Sequence, residues 1–90
     1  MAKDILIYGD IEQFLAQRFI ESIDEIDDGE LSVRINTNGG NPEIGWGIIA
    51  KIIEFDGNTK VKVDGKAYSM GLFIACYIDE VEALDVSQFI

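Results

Sequence analysis

The sequence has no histidine, one cysteine and one proline in its 90 residues. Without histidine, a Ser-His-Asp triad cannot be completed within these residues. One cysteine and no histidine argue against a structural zinc site; no metal site and no cofactor are expected. The single thiol, Cys76, has no intramolecular disulfide partner, and its apolar surroundings predict a buried structural cysteine in a reducing compartment. Bases are scarce as well: 7 Lys and Arg stand against 17 Asp and Glu, a net charge of −10. So few cations cannot neutralise a phosphate backbone, which argues against nucleic acid or an anionic membrane as partner. Long hydrophobic runs are also missing. The longest, residues 70–78, spans nine residues, too short to cross a bilayer. The run over 5–8 follows Asp4 directly and is too short for a signal peptide. A cytoplasmic protein is expected, with no internal repeat, no low-complexity segment and no linker.

What is present argues for a folded chain, since 48% of the residues are hydrophobic. Residues 1–90 are expected to form one domain with a thin core. Ile5-Leu6-Ile7-Tyr8 is a continuous apolar run closed by Gly9, as in a strand buried on both faces. Asp10 with Gln13 resembles a capping box, and Ile11, Leu15, Phe19 and Ile23 recur every four residues behind it. Gly29 is the expected stop of this helix. Residues 31–36 alternate as a second strand. Asn41 and Pro42 then open a second helix as cap and first residue. Gly45 and Gly47 in that helix point to close approach of another backbone. A third strand over 60–64 leads through Gly65 into an apolar, buried helix over 69–78, and further strands are expected over 80–84 and 88–90. Trp46, Tyr8, Tyr68 and Tyr77 are expected in the core or an interface. The order is βαβαβαβ, an α/β fold with a largely parallel sheet.

Two glycine turns follow strands of that sheet. Ile35-Asn36-Thr37-Asn38-Gly39-Gly40 is one, and Gly65-Lys66-Ala67-Tyr68-Ser69-Met70-Gly71 is the other. Both fall at the carboxyl ends of parallel strands, where ligands bind in such sheets. Small residues two before and two after Ser69 permit the sharp strand-to-helix turn of a nucleophile elbow. The backbone N–H of Met70 would then donate to an oxyanion, and the glycines at 39 and 40 could expose a second donor. Pattern alone leaves alternatives open: Ser69 as the N-cap of an apolar helix, and 36–40 as a plain Asn-Gly turn. Lys66 precedes Ser69 by three residues, and strand alternation does not carry its amine onto the serine. The glycine spacing matches neither a Walker A loop nor a dinucleotide fingerprint.

Read together, the two turns resemble those of the Clp peptidase family, Ile-Asn-Ser-Pro-Gly-Gly and Gly-x-Ala-x-Ser-Met-Gly. The first strand, the helix over 44–55 and the closing Ala83-Leu84-Asp85-Val86-Ser87-Gln88-Phe89-Ile90 fit in order and spacing. The likeness covers the N-terminal half of such a domain and is greatest to the shorter Clp-related head maturation proteases of phages and prophages. It implies a Clp/crotonase-like fold of repeated β-α-β units and a serine endopeptidase. Ser69 would be the nucleophile, and Met70 and Gly40 the oxyanion N–H donors. Gly39, Asn41 and Pro42 would line a groove where a protein or peptide substrate adds as a strand. It also implies a homo-oligomer, with the catalytic histidine and aspartate beyond a segment like 87–90. Two departures stand out: Asn38 replaces the proline before the glycines, and Tyr68 replaces a small residue before the serine.

The strand-like pattern at 87–90 has no polar tail, which suggests an incomplete sequence, and the 90-residue chain alone is expected to be inactive. Two alternatives remain. One is an inactive Clp-like subunit kept for assembly, which the lack of histidine favours. The other is a crotonase-type enzyme using oxyanion donors without a nucleophile, which the serine in the elbow disfavours. Gly40→Ala is expected to damage turnover more than stability.

Overall fold

A computed structural model describes residues 4–83 and the backbone of residues 88 and 89. Four strands, β1 (Asp4–Tyr8), β2 (Glu30–Thr37), β3 (Asn58–Ala67) and β4 (Glu80–Ala83), lie side by side in chain order, all parallel. Three helices connect them: α1 (Gln13–Asp24), α2 (Pro42–Glu54) and α3 (Met70–Cys76). A short β5 (Gln88–Phe89) pairs with the far end of β3, beyond the stretch that β4 covers. The α/β fold with a parallel sheet agrees with the sequence reading; Leu84 and Ile90, the expected strand ends, lie outside the described residues.

Crossovers of one hand between strands laid down in consecutive order place every helix on the same side of the sheet. Burial follows that rule. Ile7, Val33, Ile35, Val61 and Val63 point into a core shared with Phe19, Ile48, Ile52 and Ile74 of the helices. The opposite face carries Leu6, Tyr8, Arg34, Lys60 and Lys62, all exposed or half-buried. This corrects the reading of 5–8 as a strand buried on both faces, because only one face has helices to cover it.

Helix α1 also departs from expectation. Glu12, not Asp10, caps it, its carboxylate accepting from the N–H groups of Phe14 at 3.0 Å and Leu15 at 2.7 Å. Ile11 is thereby left out of the helix and bridges to Gly40. The helix ends at Asp24, well before Gly29. The acids Asp24, Glu25, Asp27 and Asp28 crowd its C-terminus, where the helix dipole is already negative. Helix α2 matches expectation: Asn41 Oδ1 accepts from Glu43 N–H at 2.9 Å and Ile44 N–H at 3.3 Å, with Pro42 as first residue.

Helix α3 is shorter than the apolar run that encodes it, and it is not buried all round. Phe73, Cys76 and Tyr77 face outward. Cys76 is therefore an exposed thiol rather than a buried one. Trp46 stands beside Phe73 and Tyr77, with ring centroids 6.0 and 6.2 Å away. With Tyr8 and Tyr77, it is nearly half exposed, so these aromatics are not core; Tyr68 is half-buried. Among the described residues no helix is long and apolar enough to cross a membrane.

The helix-free face is held by charge. Arg34 makes a two-pronged ion pair with Asp64, at 2.9 and 2.7 Å, and approaches Asp4 at 3.6 Å. The Tyr8 hydroxyl donates to the same Asp64 carboxylate. The hydrogen bonds from Arg34, and then that from Tyr8, hold Asp64 below its ordinary pKa of 3.8. A depressed carboxylate stabilises the fold fully above its unfolded pKa and loses that contribution as pH falls through the folded value. Asp64→Asn should therefore lower the urea midpoint near neutral pH. The two proteins should converge as pH drops below the ordinary aspartate range, and parallel curves throughout would show that the pair contributes nothing.

Candidate active site

Strands β2 and β3 run in simple register from Glu30 opposite Asn58 to Ile35 opposite Val63, and then the register shifts. Thr37 lies opposite Ala67, so Asp64, Gly65 and Lys66 together oppose Asn36. The Asn36 side chain fills the irregularity, its Oδ1 accepting the Lys66 N–H at 3.1 Å. Two extra residues preserve the period-two alternation, so Ala67 remains buried like Val61 and Val63. The third strand is thus longer than the sequence suggested, running through Gly65 to Ala67 instead of ending before it. Thr37 C=O then accepts the Tyr68 N–H at 3.2 Å, which brings the second glycine turn against the first.

Ser69 sits at that meeting point with φ 51° and ψ −118°. It is the only non-glycine residue at positive φ among the described residues. This region of backbone space suits glycine; a side chain there costs about 1–3 kcal/mol. Nor does the serine cap the helix it precedes: its side chain makes no cap hydrogen bond. Ser69 thus stands at the N-cap position of α3, as the alternative reading had it, but without the side-chain hydrogen bond of a capping serine. Its carbonyl instead accepts from Leu72 N–H at 3.0 Å and Phe73 N–H at 3.3 Å, and Tyr68 C=O accepts from Gly71 N–H at 2.8 Å. Three helix amides pin the elbow in its strained form, and the exposed side chain is free to do something else.

The first glycine turn wraps the serine. A Cβ on Gly39, at φ +104°, would stand 2.9 Å from Ser69 Cβ and 3.1 Å from Tyr68 O. Only glycine fits there. Gly40 contacts the other side, where a Cβ would lie 2.2 Å from the Ile11 carbonyl oxygen. Ile11 N–H donates to Gly39 O at 2.9 Å, and Asn41 N–H donates to Ile11 O at 3.0 Å. In a parallel bridge of this kind the central residue turns its own N–H and C=O away from the partner strand. The Gly40 N–H is thereby directed off the Ile11 side, and no described residue accepts it. The same holds for the Met70 N–H.

The other expected substrate-side residues differ in what they offer. Gly39 N–H is already given to Thr37 Oγ1 at 3.1 Å, and its carbonyl to Ile11. Asn41 uses its side chain as the helix cap and its N–H on Ile11. Pro42 has no N–H. Of this segment only Gly40 keeps an unused backbone donor. Gly40→Ala no longer separates turnover from stability, because its methyl would strike the Ile11 backbone. Lys66, exposed, extends its amine over the Tyr68 ring, 5.6 Å from the centroid. Met70 is anchored from below by Gly45 of α2, where a Cβ would lie 2.0 Å from Met70 Cγ. The approach at Gly45 is thus to a side chain, not to another backbone, and Gly47 meets nothing within 4 Å. Sequence reasoning also missed Thr37, Asn36 and Ile11 as supports of the two turns, and no local pattern in the sequence marks them.

No family model matches the chain, and no curated protein does. Solved structures do. ClpP1 from Listeria monocytogenes and its N165D mutant each superpose with a TM-score of 0.78 at 29% sequence identity. Each match covers 83% of this chain and 46% of the neighbour, so the chain spans about half the length of these structures. The fold is that of a Clp-like peptidase.

The geometry gives two expectations. Ser69→Gly should stabilise the protein by about 1 kcal/mol as the strain is released, whereas Ser69→Ala should be near neutral. Chemical denaturation of both variants measures the difference, and equal stability of the two would mean the elbow is unstrained. Gly45→Ala should destabilise by about 1–3 kcal/mol through Met70, although alanine is the better helix former at an open site.

Proposed function

We propose that this chain is the N-terminal portion of a Clp-type serine endopeptidase, with Ser69 as nucleophile and the N–H groups of Gly40 and Met70 as its oxyanion hole. The carrying observation is Ser69 itself: a strained serine whose hydroxyl is not spent on capping, enclosed by a glycine turn shaped to it. Strain of this kind persists where surrounding bonds enforce it, and it clusters at functional sites. In the proposed reaction Ser69 Oγ attacks the peptide carbonyl carbon. The carbonyl oxygen becomes an oxyanion that accepts from Gly40 and Met70, the amine leaves with a proton, and water hydrolyses the acyl-enzyme.

The hydroxyl proton must go to a base. With no histidine in the 90 residues, that base would come from outside them. Until it is supplied, the serine remains essentially unactivated; loss of triad members costs roughly 10⁴–10⁶ in turnover. The Clp resemblance implies a protein substrate and an assembly of several copies. The finer assignment to phage or prophage head maturation rests on the sequence resemblance alone. The lack of histidine also favours a second reading, an assembly subunit of the same fold without activity.

One experiment separates the two. The full-length protein is treated with a fluorophosphonate, and the modified residue is located by mass spectrometry. A peptidase is labelled at Ser69, and Ser69→Ala removes both the label and peptide hydrolysis while leaving the fold intact. An unlabelled, properly folded full-length protein would favour the assembly subunit.

A further inference from the structure

Thr37 is nine-tenths or more buried, and its hydroxyl, carbonyl and methyl each tie it to a different part of the site. Thr37 Oγ1 donates its proton to the Gly9 carbonyl at 2.5 Å, at the turn that ends β1. The Gly39 carbonyl, at 3.5 Å, is the weaker alternative. The same oxygen accepts the Gly39 N–H at 3.1 Å. Its main-chain carbonyl receives the Tyr68 N–H, one residue before the serine. Its methyl fills the space that the missing side chain of Gly71 leaves open, since a Cβ there would lie 2.5 Å from Thr37 Cγ2.

Resting on the reading of Ser69 as nucleophile, we infer that the Thr37 hydroxyl is a positioning group for the oxyanion hole. It touches neither substrate nor the reacting atoms. Its effect is to hold the Gly39 N–H, and with it the Asn38–Gly39 peptide plane, while the Ile11 N–H holds the Gly39 carbonyl; fixed from both sides, Gly39 keeps the backbone angles from which the following plane aims the Gly40 N–H. The β1 turn is the fixed point of this lock: Gly9 N–H donates to Asn36 O at 3.1 Å, so Gly9 is bonded to β2 through both its N–H and its carbonyl. A misdirected donor matters because an oxyanion hole acts only through donors already aimed at the oxygen.

The methyl and the hydroxyl on the Thr37 β-carbon can be removed separately. Thr37→Val keeps the shape and loses the hydroxyl; Thr37→Ser keeps the hydroxyl and loses the methyl. Phosphonylation of Ser69 by a fluorophosphonate in the full-length protein gives a maximal rate and an apparent affinity. Thr37→Val should lower the maximal rate on the order of 10- to 100-fold with affinity nearly unchanged, and Thr37→Ser should restore most of the rate. A purely structural role would move melting temperature in both variants and spare the rate. A labelled wild type with Thr37→Val equally fast overturns the inference alone. A wild type that is never labelled at Ser69 overturns the nucleophile reading and this inference with it. Amide exchange of the wild type provides a check that needs no variant: the Gly39 N–H should exchange at least about tenfold more slowly than the exposed Gly57 N–H, and equal rates overturn the lock.

Discussion

The irregular pairing of β2 with β3 is the constraint on which the site depends. Up to Ile35 and Val63 the two strands advance together, and then β3 takes two residues more than β2. At about 3.3 Å per residue, those two residues carry the end of β3 roughly 6–7 Å further. Without them Thr37 would face Gly65, and the Tyr68 N–H could not reach the Thr37 carbonyl. The insertion leaves one position of β2 facing three of β3, and an unfilled gap there would leave backbone groups without partners. Asn36 resolves this with its own amide oxygen on Lys66 N–H. Because the insertion is even, inward residues stay inward, and the core beneath the site is uninterrupted.

From this register the rest of the local structure follows. Ser69 emerges against Gly39, where only a hydrogen can be accommodated on the α-carbon. The first turn of α3 holds Tyr68 and Ser69 through three amide donors, which offsets the conformational cost at the serine. On the far side, Ile11 has left the α1 pattern to bridge Gly40. The same exchange explains why Glu12, rather than Asp10, begins the helix. A residue spent on the strand edge cannot also be the first residue of a helical stripe, so the cap moves two positions down the chain.

Much of this was legible in the sequence, and for identifiable reasons. Helix α2 was, because Asn41 and Pro42 act within a few residues of themselves. The two turns were, because glycine pairs and small residues around a serine have a local geometric meaning. Coverage of the sheet was not. Ile5-Leu6-Ile7-Tyr8 is equally apolar whether helices lie on one face or two, and only strand order decides that. Burial of Cys76 was misjudged for a related reason: a short helix packed on one side exposes its other side whatever its composition. The Thr37, Asn36 and Ile11 contacts were illegible because each joins segments roughly thirty residues apart, a distance no local period encodes.

The division of labour in the proposed reaction follows from the same topology. Backbone N–H groups are fixed by strand register and turn geometry, so a chain of three β-α units suffices to aim them. A base is a side chain that must reach Ser69 Oγ from a different direction, because β2 lies on one flank of the elbow and α3 beneath it. The flank of β3 beyond the stretch covered by β4 is where the chain next returns, with Gln88 opposite Lys66 and Phe89 opposite Ala67. That pairing brings β5 to within two residues of the serine along β3. In the proposed reaction a proton acceptor for Ser69 would therefore have to approach from the β5 side, which β2 and the helix do not occupy.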